Sequence, residues 1–426
     1  MRRRCRAIAC RAFPRLRARS KGLPLKICHL IYDDIANPWL GGGGAVRAME
    51  IYRRLAERHE ITLICGLFPG ADLEAEIDGI RILRVGSAAS YGRSRLGYCL
   101  NAIDQLRKLD WDLWVNEFSA FAPLRVPAAL RRRGLLFFQH FMGHHALIKR
   151  PLVGGVSWLA EERVLRAYDR ILTVSPSVQD RIRSKLKGRD LPVDCVCNGV
   201  AERYFALESV EEPYVLYFGR IDIHTKGLDV LIPAFARLAA DHPHVALKLA
   251  GRGSAAQLAK VSELVRREGV ADRVEVVANV SDEEQGELLR RALLVCMPSR
   301  YEGWGMVAVE AAAVGKAVIG TDISGLRDAI CDGETGLLVP AGDAAALAAA
   351  MRALVADDQR RRWLGAGEGS GPGRHRRCGS ISPTRPRRRS QPSRKRPRPL
   401  LLCSPSLRKT CAEHLVICAN SCCCQG

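Results

Sequence analysis

LKICHLIYDDIANPWLGGGGAVRAMEIYRRLAERHEITLICGL, residues 25 to 67, decides the fold. It opens on LKICHLIY, a continuous apolar run of the kind that forms a strand buried on both faces. DDIANPWLGGGG follows as a loop. AVRAMEIYRRLAERH then carries apolar residues at helical spacing, and EITLICGL is a second buried strand. A helix between two such strands returns the chain to the start of the sheet, so the strands lie parallel.

The alternation continues through RILRVG, WDLWVN, LLFFQH and RILTVS. It pauses around AERYFALESVEEP, residues 201 to 213, where a linker is expected over 206–213. A second series then begins: YVLYFGR, VALKLAG, VEVVAN, LLVCMPS, AVIGTD and GLLVP. The expected architecture is two doubly wound α/β domains, 23–205 and 214–365. Ligands bind such sheets at the carboxyl ends of the strands, so the expected site is a cleft that both domains face. DAAALAAAMRALVADDQRRRWLG closes the second series as a helix, with Asp343 placed to cap it.

The chain has 426 residues and a net charge of +21. Residues 1 to 22 hold nine of those charges and residues 366 to 426 hold eleven, leaving +1 for everything between. The basicity therefore belongs to the ends, and it argues against nucleic acid as the partner of the folded part. A basic nucleic-acid-binding protein acting through its tails remains the alternative outside enzymes. The leader MRRRCRAIACRAFPRLRARSKG is rich in arginine and free of acids. It fits either a transit peptide or residues added by an upstream start codon. After Gly365 the helical and strand periods vanish into Arg, Pro, Ser, Gly and Cys. We read 366–426 as disordered, with the composition expected of an out-of-frame stretch of a GC-rich gene. The seven cysteines between the ends, at 28, 65, 99, 195, 197, 296 and 331, sit mostly in apolar runs. They read as buried thiols of a reducing compartment rather than a disulfide framework. Cys195-Val-Cys197 has no second pair at zinc-site spacing. There is no run of eighteen apolar residues.

Chemistry gathers in SRYEGWGMVAVEAAAVGKAVIG, residues 299 to 320. We expect a loop over Glu302–Gly305 and a helix from about Trp304 to Val314. On that helix Glu310 shares a face with Met306, Val307, Ala313 and Val314, all apolar. A carboxylate there needs donors, and the adjacent hydroxyls of a ribose would supply them. Glu302 lies by the free amides at the helix start, where a hydroxyl-rich or anionic ligand would rest. A cap-turn acid and a half-exposed helix glutamate are the plainer alternative.

YFGRIDIHTKGLDVLIPAF places Arg220 at a strand end and Lys226 before the next helix, flanked by Gly219 and Gly227. Two cations in such a loop suit a diphosphate, and a solvated surface loop is the alternative. LAGRGS, with Gly251, is a second candidate ligand-facing turn. The glycines at 41 to 44 lack the Lys-Ser/Thr of a phosphate-binding loop and the G-x-G-x-x-G of a dinucleotide site. They would let a phosphate or sugar approach the backbone. His140 ends a strand, with His144 and His145 beyond. A zinc site there lacks a nearby acid, so we read His140 as a sugar-contacting donor or a structural histidine. Asp110-Trp111-Asp112 matches a metal-binding DxD pattern but begins a strand, so Asp112 is read as a strand-start residue and no catalytic metal is expected.

Taken together, strand–GR…KG, strand–AGRGS, PSRYEGWGMVAVEA and GKAVIGTDISGLRDAI resemble the retaining glycosyltransferases of family 4. The likeness runs over roughly 25 to 365 and is most specific from 214 to 340. It implies the GT-B fold: two Rossmann-like, doubly wound α/β domains facing a cleft. It implies a nucleotide-diphosphate sugar as donor and a glycan or lipid-linked acceptor. By resemblance, Glu302 contacts the sugar, and the amides of Gly303, Trp304 and Gly305 lie near sugar and phosphates. Glu310 binds the ribose, Arg220 and Lys226 bind the diphosphate, and Gly219 and Gly251 line the donor. Gly42, Gly43 and Gly44 approach from the first domain, and His140 faces the sugar. No metal or other cofactor is implied. The anomeric configuration is kept, with attack on the face of departure and the leaving diphosphate taking the acceptor's proton. A cytoplasmic enzyme, peripheral at the inner membrane face, fits this class. A GT-B epimerase or phosphorylase is the rival among enzymes. Ala201 stands where the family usually has Asp, and the tail after 365 departs from the family's bracing helices.

Overall fold

The computed structural model describes residues 23–39, 42–119, 123, 126–141 and 151–367. The leader, His144, His145 and the chain beyond 367 lie outside the described residues, and with them the expectations placed there. By internal contacts the chain divides between Val196 and Cys197.

The first unit runs β1 (Lys26–Leu30), α1 (Gly43–Ala56), β2 (Glu60–Gly66), β3 (Glu74–Ile77), β4 (Ile80–Val85), α2 (Tyr91–Arg107) and β5 (Leu113–Glu117). It continues through α3 (Ala128–Arg131), β6 (Gly134–Phe138), α4 (Pro151–Ala167), β7 (Ile171–Thr173), α5 (Pro176–Lys185) and β8 (Val193–Cys195). One sheet results, in the order β3-β4-β2-β1-β5-β6-β7-β8. β1 pairs in parallel on both sides, Ile27 lying opposite Ile61 of β2 and Leu113 of β5. All five residues of β6 are buried, as a strand covered on two faces requires. Helix α1 turns Ala45, Ala48, Met49, Tyr52 and Leu55 inward at spacings of three and four. Burying each such Leu or Ile is worth roughly 2 kcal/mol, which is what holds the layers.

The second unit begins with α6 (Glu202–Ala206). It continues through β9 (Tyr214–Phe218), α7 (Leu228–Asp241), β10 (Ala246–Gly251), α8 (Ala255–Arg267), β11 (Val274–Ala278), α9 (Asp282–Arg291) and β12 (Leu294–Met297). The remainder is α10 (Met306–Ala313), β13 (Ala317–Thr321), α11 (Ser324–Ala329), β14 (Gly336–Val339), α12 (Ala344–Ala356) and α13 (Asp358–Ala366). Its six strands are all parallel, in the order β11-β10-β9-β12-β13-β14. Leu231, Phe235, Leu249, Ile319 and Met351 are fully buried at its centre.

Each expected strand is present, most of them shorter than the sequence run that announced it. Two further strands appear. Among the described strands β3 is the antiparallel member, paired to β4 through Ala75–Ile82 and Ile77–Ile80. β8 closes the far edge. The contact division at Val196 falls before the expected boundary at 205, and α6 belongs to the second unit. Asp343 caps α12, accepting from the amides of Ala345 and Ala346. Asp112 accepts the Lys26 amide at 2.9 Å and so ties the start of β5 to β1. Cys28, Cys65 and Cys296 are buried thiols, whereas Cys99, Cys195 and Cys197 are only partly covered.

Candidate functional site

In the second sheet the strand order reverses between β9 and β12. The loop after β9 leaves toward β10 and the loop after β12 leaves toward β13, so a crevice opens between them at the carboxyl ends. Arg220 and Lys226 lie on the first loop and Glu302 on the second. The sequence separates Lys226 from Glu302 by 76 positions, and topology brings them together.

The two loops are fastened to each other. The Arg300 amide donates to the Thr225 carbonyl at 3.1 Å. Its guanidinium donates to the His224 carbonyl at 2.8 Å and grips Asp229 through both nitrogens at 2.6 and 2.9 Å. Asp222 holds the turn before Lys226, taking the Thr225 amide at 2.9 Å and its hydroxyl at 2.8 Å. Between these anchors Lys226 Nζ donates to Glu302 Oε1, and Ser299 Oγ donates to the same oxygen at 3.0 Å. Both charged side chains are less than one-fifth exposed. Arg220 is exposed and makes no ion pair among the described residues. Beneath it Tyr217, 2% exposed, donates its hydroxyl to the Arg220 carbonyl at 2.6 Å. Burial raises that phenol's pKa, the Glu302 charge raises it further, and Arg220 opposes.

Glycines seat the loops. Gly251 has φ +135°, and a Cβ there would stand 2.0 Å from the Gly219 carbonyl oxygen. Gly305 begins α10 in the left-handed region, φ 74°, where any other residue is strained. The helix therefore starts at Met306, two residues later than expected, and Trp304 is buried in the turn before it at 3% exposure. A Cβ on Gly325 of α11 would lie 2.4 Å from the Glu302 carbonyl oxygen, so the Glu302–Gly303 backbone rests directly on α11.

Glu310 occupies a separate cluster. Ala308, Val309, Ala311 and Ala313 are the buried residues of α10, and Glu310 stands half-buried at the edge of that face. Gln285 Nε2 donates to Glu310 Oε2 at 2.8 Å. Burial pushes the carboxyl up to about 7, the Arg203 charge and the Gln285 hydrogen bond pull it down, and Asp282 raises it. Arg203 in turn meets Asp282 at 2.9 Å. The carboxylate was expected to need donors, and one of them is the protein's own Gln285. Gln285, Arg203 and Asp282 were missed as site residues. The Ser281-x-x-Glu284 pattern was a usable signal, since it forms a capping box that sets Asp282 and Gln285 on the first turn of α9.

In the first sheet the order reverses between β1 and β5, and Gly42, Gly43 and Gly44 follow β1 at that point. Gly42 caps α1 and donates its amide to Asp33 Oδ2 at 2.9 Å. Asp34 forms a buried pair with Arg84 at 2.8 Å, which fixes the loop before the glycines. A Cβ on Gly43 would meet open space. One on Gly44 would stand 3.2 Å from Gln139 Nε2 and 3.3 Å from Glu117 Oε1, so protein groups fill that approach. Gln139 donates to Glu117, whose other oxygen is 3.3 Å from His29 Nε2. His140, next in the chain, is half-buried just past β6. Among the described residues no three His, Cys, Asp or Glu side chains converge as metal ligands, and no helix is long and apolar enough to cross a membrane.

These features are those of a two-sheet α/β protein whose loops converge at strand-order switch points, and sequence comparison supplies the family. The profile of Glycosyltransferase Family 4 matches residues 41–203, and that of Glycosyl transferases group 1 matches residues 202–367. The chain belongs to this glycosyltransferase family, and its fold is GT-B. Glycogen synthase of Mycobacterium tuberculosis is 34% identical over 206 residues, 47% of this chain and 48% of that protein. The chain thus spans about half the length of such curated relatives. Sucrose-phosphate synthase from Thermosynechococcus elongatus superposes with a TM-score of 0.71 at 22% identity, over 84% of this chain and 95% of that one. HepE of Anabaena, solved in complex with UDP-glucose, has a TM-score of 0.60 at 17% identity, covering 83% and 95%.

Proposed function

We propose that the protein is a retaining, metal-independent glycosyltransferase that moves a sugar from a nucleotide-diphosphate donor to a glycan or lipid-linked acceptor. The observation that carries this reading is the meeting of Lys226 and Glu302 beside Arg220 at the β9/β12 switch point. Glu310 lies nearby in sequence, and among the described residues a side-chain donor reaches one of its oxygens. In this reading the ribose diol binds Glu310, and Glu302 and the amides of Gly303, Trp304 and Gly305 hold the sugar. Gly219 and Gly251 let the donor lie against the strand ends. Arg220 and Lys226 neutralise the charge that builds on the departing diphosphate, the task a metal performs elsewhere. The anomeric carbon–phosphate oxygen bond breaks and a bond to the acceptor oxygen forms on the same face. The acceptor's proton passes to the diphosphate. A lipid-linked acceptor would bring the enzyme to the cytoplasmic face of a membrane as a peripheral protein.

HepE, of the same fold, was solved with UDP-glucose, which supports a nucleotide-sugar donor. The test is calorimetric titration of the full chain with UDP, GDP and ADP, followed by transfer from the sugar nucleotide of the base that binds. One of the three should bind, Glu310→Ala should reduce that affinity at least about tenfold, and sugar should appear on an acceptor. Release of free sugar or an epimerised donor with no acceptor product would overturn transfer.

A further inference from the structure

The site just described contains a conflict. Lys226 is to meet a diphosphate and Glu302 a sugar, yet the two side chains are bonded to each other. Neither is loosely placed. Arg300 clasps the two loops together, α11 supports the Glu302 backbone, and Ser299 donates to the oxygen that Lys226 also holds. Ser299 is itself 1% exposed, and its carbonyl accepts the Thr321 hydroxyl. What can change without disturbing the fold is the partner of each charged group. A lone ammonium in this half-buried place would be costly, so without a ligand Lys226 needs a counter-ion, and Glu302 supplies it.

We propose that the Glu302–Lys226 ion pair is a latch that only a diphosphate opens. The proposal rests on the donor reading above. The incoming diphosphate takes Lys226, and the released Glu302 turns to the sugar. The carboxylate brings one negative charge to Lys226, whereas a diphosphate brings more charge and more acceptor oxygens, so it wins the exchange. Arg220 is exposed and has no ion-pair partner among the described residues, so it meets the ligand first and nothing has to be displaced there. A nucleoside monophosphate lacks the group that would reach Lys226 and leaves the pair closed. Glu302 thus has two jobs: it competes with the diphosphate while the site is empty and serves the sugar once the site is filled.

This makes an unusual demand on substitution. Removing a residue assigned to the donor should strengthen binding of part of that donor. With the full chain, Glu302→Gln should bind the matching nucleoside diphosphate roughly tenfold more tightly than wild type by calorimetry, while monophosphate affinity changes less than about twofold. Transfer of sugar should fall in the same variant. Lys226→Ala should weaken diphosphate binding, and the double variant should bind no more tightly than Lys226→Ala alone. Glu302→Asp keeps the charge but shortens its reach, and it should show the same gain if Glu302→Gln does not fold. Diphosphate binding that is unchanged or weaker in Glu302→Gln, with wild-type binding intact, overturns the latch and leaves the donor reading standing. A gain that survives Lys226→Ala also overturns it. Failure of both wild type and Glu302→Gln to bind UDP, GDP or ADP overturns the donor reading and the latch with it.

Discussion

Glu310 carries the clearest signature at the scale of a single residue. Burial raises its carboxyl from the ordinary 4.5 to about 7. Between those values the folded chain keeps a proton that the unfolded chain releases, so stability falls as pH rises through the window and levels off above about 7. Glu310→Gln should flatten that slope, as read from urea midpoints at about pH 5 and about pH 7.5. A ribose that hydrogen-bonds the ionised form would lower the pKa, so nucleotide binding should release a proton near neutrality. Gly251→Ala should cost roughly 2–4 kcal/mol, because the new Cβ would press on the Gly219 carbonyl in a backbone conformation that alanine resists. The two glutamates were legible as unusual acids from their neighbours alone. Their partners were not. Lys226 and Gln285 reach them across 76 and 25 positions, and only strand order decides such meetings.

Among elements, alternation of buried runs and amphipathic helices exposed twelve strands because parallel strands covered on both faces leave continuous apolar segments. β3 and β8 left none. β3 reads EAEI with alternate residues exposed, and β8 is three residues long with Asp194 exposed at its centre. Both lie at sheet edges, where one-sided cover is enough. Helix α6 went unread for a related reason: it has five residues, and its cap position is Ala201, which offers no side-chain hydrogen bond. Ala201→Asp should supply one and add about 1 kcal/mol, seen as a higher denaturant midpoint with an unchanged slope. Because α6 carries Arg203 toward Glu310, the same change should also sharpen nucleotide binding slightly.

Across the molecule, residues 207–213 are strapped down rather than loose. The Val210 and Glu212 amides donate to the carbonyls of Arg290 and Arg291, and buried Lys316 donates to the Val210 carbonyl at 2.8 Å. Arg361, 3% exposed, holds Glu211 through two nitrogens. Arg361→Ala should therefore destabilise the second unit by about 2 kcal/mol, since Glu211 would keep only the more exposed Arg362 at 3.3 Å and the Leu354 carbonyl would lose its donor. The buried thiols carry a different implication. Burial pushes Cys28 up to about 12 and raises Cys65 and Cys296 as well, so none is a thiolate while its sheet is closed. A mild alkylating reagent can then reach them only when a sheet opens. Cys28 and Cys65 clock the first unit and Cys296 the second, so time-resolved mass spectrometry could separate the breathing rates of the two halves without any introduced label.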